Sequence, residues 1–343
     1  MMKIGVLTNP NSRKNKTKHG HEEQLRRVVG DWGIVRRTRS VEEVKDVVAE
    51  FLEADLAYWV ADGGDGALHW MLNEGLRASA VSGAALPPIS PSNGGTIDFV
   101  AGKVGIRTDV KGIIDRLVFA VQHKRPPVTV TLDTVRLLGF REKNSTAKIN
   151  AVGFAAAIAG VGQKFFDYFY AQSNPNASTI LTIIVQAVLG QLLQANQSIG
   201  GKRADRLRQL ANGLLGAVPG VVKIDELLLP YSSFTAVHAG AIDINLGGVV
   251  RVFPLARTAG KLHLQAGSLQ PWDIIRNLPS IFRGSAIHSP NIVESAGSTL
   301  TMEVPSGTHL RPVFDGEVYP EVSRVEVSLG PQVRIPVVDT RRS

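Results

Sequence analysis

The stretch Leu56-Ala57-Tyr58-Trp59-Val60-Ala61-Asp62-Gly63-Gly64-Asp65-Gly66 decides the fold of the first part of the chain. Leu56 to Ala61 is a nearly unbroken apolar run, the pattern of a strand covered on both faces. It stops in a glycine-rich turn, and the residues from Ala67 to Leu76 predict a helix. A buried strand that passes through glycines into a helix is a building unit of parallel sheets. The same alternation surrounds it, with candidate strands at Lys3 to Thr8, Gly33 to Thr38 and Pro88 to Ser90. Between the second and third strands, Ser40 and Glu43 form a capping box, and Val44, Val47, Val48, Phe51 and Leu52 share one helical face.

After Pro126-Pro127 the period changes to two: Val128, Val130 and Leu132 alternate with Thr129, Thr131 and Asp133. Later strand candidates are Lys148 to Gly153, Ala241 to Leu246, Val249 to Phe253, Lys261 to Ala266, Ser298 to Val304 and Val322 to Leu329, separated by Gly, Pro and Asn turns. The expected layout is therefore an α/β domain with a parallel sheet over residues 1–127 and a mainly antiparallel domain over 128–343. One helical insertion is expected near 178–210, where Leu181, Ile184, Val185, Val188 and Leu192 share a face.

Composition narrows the function. At 343 residues the chain is long enough for about two domains. Its 44% hydrophobic and 20% charged residues describe a packed protein rather than a disordered one. The absence of cysteine excludes disulfides, thiolate metal sites and cysteine nucleophiles. Thirty-eight Lys and Arg against 30 Asp and Glu, a net charge of +8, favour an anionic partner. The basic clusters at Arg13 to Lys18, Arg36 to Arg39 and Lys202 to Arg208 lack interleaved aromatics, so no nucleic acid is expected. Polar residues follow the first apolar run too soon for a secretory segment, and the run Ile180 to Ala195 is interrupted by glutamines and a glycine. The expectation is a cytoplasmic protein without a transmembrane helix. His19 and His21 beside Glu22 are expected to be solvated residues at a helix start.

Three loops carry the chemistry. Gly63-Gly64-Asp65-Gly66 links a buried strand to a helix, where a phosphate could meet unpaired N–H groups. The structural alternative is a tight turn with Asp65 as a cap. Ser92-Asn93-Gly94-Gly95-Thr96 follows the next strand, and Asn9-Pro10-Asn11-Ser12-Arg13-Lys14 follows the first. All three would lie along the carboxyl edge of a parallel sheet, where ligands bind in open α/β folds. Together they point to a nucleotide-phosphate site. A P-loop and a Gly-x-Ser-x-Gly elbow are absent from the sequence.

Asn9-Pro10-x-Ser12, Gly63-Gly64-Asp65-Gly66, Gly95-Thr96, Asn150, Gly248, Pro254, Ala256 and a distant Asp315-Gly316-Glu317 occur in the order seen in the diacylglycerol kinase catalytic-domain family, which the chain resembles over nearly its whole length. The resemblance implies an N-terminal domain like that of NAD kinases, a C-terminal β-sandwich domain, and transfer of the γ-phosphoryl group of ATP to a lipid hydroxyl, with diacylglycerol or a sphingoid base as acceptor. It implies Mg²⁺ as cofactor, and places Asn9, Pro10, Asn11, Ser12, Arg13, Thr38, Gly63, Gly64, Asp65, Gly66, Gly95 and Thr96 around the nucleotide. Glu317 would accept the hydroxyl proton, with Asp315 beside it. Asp65 would serve the metal directly or through water, since Mg²⁺ needs few carboxylates. Without the family, Asp315-Gly316-Glu317 reads as a hairpin turn with solvated carboxylates.

The chain departs from the family at Ala67, Arg13, Asp98, Ala157 and Ala259. These changes leave two alternatives open: a nucleotide- or lipid-binding regulator without catalysis, and a kinase of a soluble acceptor such as NAD. Asp98 could repel phosphate or recruit a further metal. The expected partners are a lipid substrate and peripheral contact with an anionic membrane; the apolar face of the 178–197 helix reads first as core and alternatively as a lipid entrance or membrane contact beside Lys202, Arg203, Arg206 and Arg208. A homodimer is compatible with the sequence.

Overall fold

A computed structural model describes residues 3–142, 145–173, 175–246 and 250–338 of the protein. The chain divides into two compact units, one formed by 1–132 with 332–343 and the other by 133–331. The first unit thus extends past the expected boundary at 127 and takes back the segment that holds Val333–Pro336.

In the first unit, β1 (Ile4–Thr8), β2 (Gly33–Arg37), β3 (Tyr58–Asp62) and β4 (Ile89–Pro91) form a parallel sheet in the order β2-β1-β3-β4. Its helices are α1 (His21–Val29), α2 (Val41–Glu53), α3 (Asp65–Ser82), α4 (Phe99–Lys103) and α5 (Val110–Gln122). The register pairs Thr8 with Arg37 and with Asp62, and Ala61 with Pro91. The strands therefore end together, and the loops after β1, β3 and β4 leave from one edge. Ser40 caps α2 by accepting from Glu43 N–H, as the sequence predicts. Helix α3 is longer than expected at both ends. Its first turn begins inside the glycine loop, and Gly83, at φ +74, ends it in the left-handed conformation that glycine adopts at least cost. The core packs Trp59 edge-on against Phe51, both fully buried. A last strand pair, β5 (Thr129–Leu132) with Val333–Pro336, returns the chain end to this unit.

The second unit begins with β6 (Val135–Phe140), β7 (Ile149–Gly153) and β8 (Ala155–Gly160) and contains two six-stranded sheets paired antiparallel throughout. In the sheet that holds β8, the strand Ala236–Gly240 lies between β8 and Leu262–Gly267, with Ile292–Gly297 at one edge and Glu317–Val318 at the other. The expected strand from Ala241 is shorter, Ile244–Leu246, because the chain has already paired over Ala236–Gly240; Gly248 and Val249 lie outside the described residues.

The second unit also holds α6 (Val161–Tyr170), α7 (Ala177–Ala195), α8 (Lys202–Leu215) and α9 (Pro271–Arg283). Only the 178–210 region was expected to be helical, so α6 and α9 correct that reading. In α9 the proline at position 279 hides the pattern, while Pro271 at the first turn suits a helix start. Helices α7 and α8 pack closely: a Cβ on Gly190 would stand 2.0 Å from Leu207 O. Arg208 donates to Leu193 O, Asn196 O and Ile199 O, so it caps the end of α7 instead of standing free beside it.

Helix α7 is apolar on two sides. Ile180, Ile183 and Ala187 are buried with Phe169 and Leu214, whereas Leu181, Val185, Leu189 and Leu192 form an exposed stripe, each 45–48% accessible. Contrary to the expectation for this region, Ser178–Ala195 is long and apolar enough to cross a membrane by length and composition. Its buried face instead serves the core of this unit.

Candidate functional site

The three expected loops meet at the carboxyl edge of the parallel sheet, and they meet backbone to backbone. Gly94 N–H donates to Gly63 O (2.9 Å) and Lys14 N–H to Gly94 O (3.1 Å). A Cβ on Gly94 would lie 2.6 Å from Gly63 O, and one on Gly64 would lie 2.8 Å from Gly95 Cα. Gly64, Gly94 and Gly95 are thus required first by the interlock of the two turns. The freedom read from the sequence as room for a phosphate is largely used by the protein itself. A Cβ on Gly63 would also reach to 2.5 Å from the Ala67 Cβ, so the residue at 67 points at the turn.

Beneath the loops lies Asp62, 1% exposed, which the sequence reading passed over. Its Oδ2 accepts from Thr8 Oγ1 (2.6 Å), Asn15 Nδ2 (3.2 Å) and His21 Nε2 (2.7 Å). Its backbone oxygen accepts from Asn9 N–H (2.9 Å), and Ser92 Oγ reaches Oδ1 at 3.4 Å. Ser92 Oγ also accepts from Gly63 N–H (3.0 Å). One buried carboxylate therefore ties together all three loops and α1. His21, expected in solvent, is buried against it at 7% exposure. The signal that could have found Asp62 is a charged residue closing an otherwise apolar strand, since a buried charge needs partners.

Around this base, Asn9 Oδ1 accepts from Asn11 N–H (2.8 Å), which shapes the first loop into an Asx turn, and Asn11 Nδ2 reaches Arg39 O (3.4 Å). Pro10 follows Asn9 in that turn and is half-buried, and Arg13 is exposed. Thr38 is buried, its N–H bonded to Thr8 O (3.1 Å). The Ser12 hydroxyl is enclosed with no hydrogen-bond partner, and its Cβ lies 3.8 Å from where a Gly63 Cβ would be. Asp65 opens α3, and its two oxygens accept from Phe99 N–H (3.1 Å) and Val100 N–H (3.3 Å). It is a cap, as the structural alternative held, but of α4 rather than of its own helix. Gly66 sits in the first turn of α3, in which Ala67 N–H donates back to Gly64 O (3.0 Å). Gly95 N–H is taken by Asp98 Oδ1 (2.8 Å), Lys14 Nζ lies 3.2 Å from Asp98 Oδ2, and Thr96 is half-buried between them in sequence. Burial pushes the Asp98 carboxyl above its ordinary range, against the pull of Gly95 N–H and Lys14.

The second unit carries Asp315 and Glu317. Asp315 and Gly316 have φ of +51° and +87°, so the segment is a tight turn between Val313–Phe314 and Glu317–Val318. The two carboxylates are therefore not neighbours on one extended face. Asp315 is 5% exposed, and its Oδ1 accepts from Phe154 N–H (2.8 Å) and Ala155 N–H (2.9 Å). It holds the backbone where β7 passes into β8 and is buried rather than solvated. Glu317 opens the returning strand and is half-buried. Tyr170 Oη donates to Gly316 O (2.7 Å), which anchors the turn to α6. Asn150 faces outward on β7, and Ala157 pairs with His238 and Val313. Ala256 N–H closes a turn onto Phe253 O just after Pro254.

Among the described residues, no group of three His, Asp or Glu side chains could hold a metal ion alone. A Mg²⁺ bound mainly by phosphate oxygens and water needs only one or two carboxylates, and the carboxylate at the start of α3 is Asp65, whose two oxygens already accept from Phe99 and Val100 N–H.

Against known proteins, the diacylglycerol kinase catalytic domain family matches residues 3–130. No curated protein matches the chain. A Bacillus anthracis protein assigned to the diacylglycerol kinases superposes with a TM-score of 0.61 at 12% identity, covering 96% of both chains. A diacylglycerol kinase from the same organism gives 0.58 at 11% identity, over 97% of this chain and 96% of that one. Yeast NADH kinase, solved with NADH, gives 0.50 at 9% identity, over 98% and 84%. At these identities the likeness is one of fold: a parallel α/β domain followed by antiparallel sheets.

Proposed function

We propose that the protein is an ATP-dependent kinase that transfers the γ-phosphoryl group to a lipid hydroxyl. The observation that carries this reading is the convergence of Lys14, the unpartnered Ser12 hydroxyl and the first turn of α3 on one sheet edge, within the segment matched by the kinase family. A cation, a hydroxyl donor and helix-start N–H groups are the donor set that a polyphosphate uses. Mg²⁺, when bound, would neutralise the transferring phosphoryl group. Asp65 would hold its water shell, the glycine turns would exclude bulk water from the phosphates, and Glu317 would take the acceptor's proton.

The acceptor is read as a lipid from Asp315-Gly316-Glu317 and from α7. Its stripe of Leu181, Val185, Leu189 and Leu192, followed in the chain by exposed Lys202, Arg203 and Arg206, suits peripheral contact with an anionic membrane. Yeast NADH kinase, of the same fold, motivates the second reading of a soluble acceptor. Radiolabelled ATP offered with diacylglycerol, sphingoid bases, other long-chain alcohols and NAD separates them. Label in lipid alone supports the proposal, label in NAD alone overturns the lipid acceptor, and ATP binding without any product favours a regulator.

A further inference from the structure

Asp98 lies among the groups that the phosphate reading needs most. Its Oδ1 accepts from Gly95 N–H (2.8 Å), its Oδ2 faces Lys14 Nζ (3.2 Å), and Oδ1 stands 3.8 Å from where a Gly64 Cβ would be. The side chain is only 10% exposed, so this negative charge is largely withdrawn from water. The backbone is bent to bring it there: Asp98 has φ +53°, the left-handed region that a non-glycine residue enters at a cost. The same lysine also donates to Asn93 O, which clasps the first loop to the third. Burial holds the carboxyl above its usual range, in keeping with an ion that is costly to keep there.

We infer that Asp98 is a built-in anionic competitor for the phosphate site, setting how tightly the protein binds polyphosphates. It engages the backbone donor and the ammonium that an incoming phosphate would engage, so binding must displace its carboxylate and then tolerate its charge nearby. This rests on reading the loops as the phosphate site. Of the two roles left open by the sequence it takes repulsion, because both oxygens of Asp98 are already engaged, one by Gly95 N–H and the other by Lys14 Nζ.

The test is calorimetric binding of tripolyphosphate and of ATP, each with and without Mg²⁺, to the wild type, Asp98→Asn and Asp98→Ser. Asparagine keeps the acceptor for Gly95 N–H and tolerates the left-handed backbone, so the turn is retained; serine removes the charge by a second route. The expected result is a gain in affinity of roughly tenfold for both ligands in both variants, present without Mg²⁺. Unchanged or weaker binding overturns the inference, as does a loss seen only with Mg²⁺, which would make Asp98 a metal ligand. A parallel assay of phosphoryl transfer keeps the two readings apart. Tighter tripolyphosphate binding without turnover on any acceptor leaves Asp98 as competitor and sinks the kinase.

Discussion

Gly64 and Gly95 touch through their backbones: a Cβ on Gly95 would stand 2.5 Å from Gly64 Cα. Two turns from different strands are thereby locked into one surface, and the lock admits no side chain.

Gly95→Ala forces the turns apart, since the nearest atom to its Cβ is the backbone Gly64 Cα, and it also crowds Asp98 Oδ1 at 2.7 Å. The expected outcome is a loss of about 1–3 kcal/mol in denaturant unfolding, in the range of an overpacked core. ATP binding should fall in the same variant. Gly102, with open space at its Cβ, serves as control: Gly102→Ala should leave both measurements unchanged.

Asp315 and Glu317 should separate by readout although only one residue divides them. Asp315→Ala leaves the N–H groups of Phe154 and Ala155 buried without their acceptor, which costs about 1–3 kcal/mol each, so thermal stability should fall sharply. Glu317→Gln should leave stability unchanged and lower kcat roughly 10²- to 10⁴-fold, with ATP affinity preserved. Full activity in Glu317→Gln ends the proton-acceptor role.

Membrane contact through α7 has a direct measurement in vesicle flotation. Val185→Asp with Leu189→Asp places charges on the exposed stripe and should abolish binding to phosphatidylserine vesicles without unfolding, because both side chains are nearly half exposed. Reversing Lys202, Arg203 and Arg206 to Glu should weaken it by about 1 kcal/mol or more per residue, and raised salt should mimic the effect. Arg208 is left out of that set, because its removal would fray the end of α7.

The strands of the parallel sheet were legible because each is a short apolar run bounded by turn residues, and the expected glycine loops stand where the register ends. The interlock was not legible. Gly63 and Gly94 are 31 positions apart, and nothing local distinguishes a glycine that admits a phosphate from one that admits another backbone. His21 read as solvated because its partner Asp62 is 41 residues away. In the second unit, β8 is Ala-Ala-Ala-Ile-Ala-Gly, a composition with little strand preference. It is a strand because Ala236–Gly240 and Val313–Phe314 pair with it on either side. The turn at Asp315 was foreseen as an alternative, while the burial of its carboxylate depended on backbone 160 residues earlier.

A buried imidazole in the second unit sets a pH dependence of stability. His238 Nδ1 lies 2.8 Å from Gln265 Oε1, and Gln265 Nε2 donates to Glu294 (3.3 Å), a row across three adjacent strands. Since Gln265 presents its oxygen, Nδ1 carries the proton of a neutral ring, and Nε2 is enclosed without a partner. A Cβ on Gly162 would come within 2.2 Å of that nitrogen, so the ring is pressed against the start of α6. Burial lowers the His238 pKa, the Gln265 bond opposes the shift and His263 adds to it. The unfolded chain then takes up a proton as pH falls below about 6.5 while the folded one does not. Stability is therefore fully present above that pH and is lost on acidification, by at most about 1.4 kcal/mol per pH unit for one group. The expected observation is a wild-type melting temperature that falls more steeply between pH 7.5 and 5.5 than that of His238→Gln, which keeps a donor for Gln265 but cannot titrate. Parallel slopes for the two proteins would show that the ring accepts its proton within the fold.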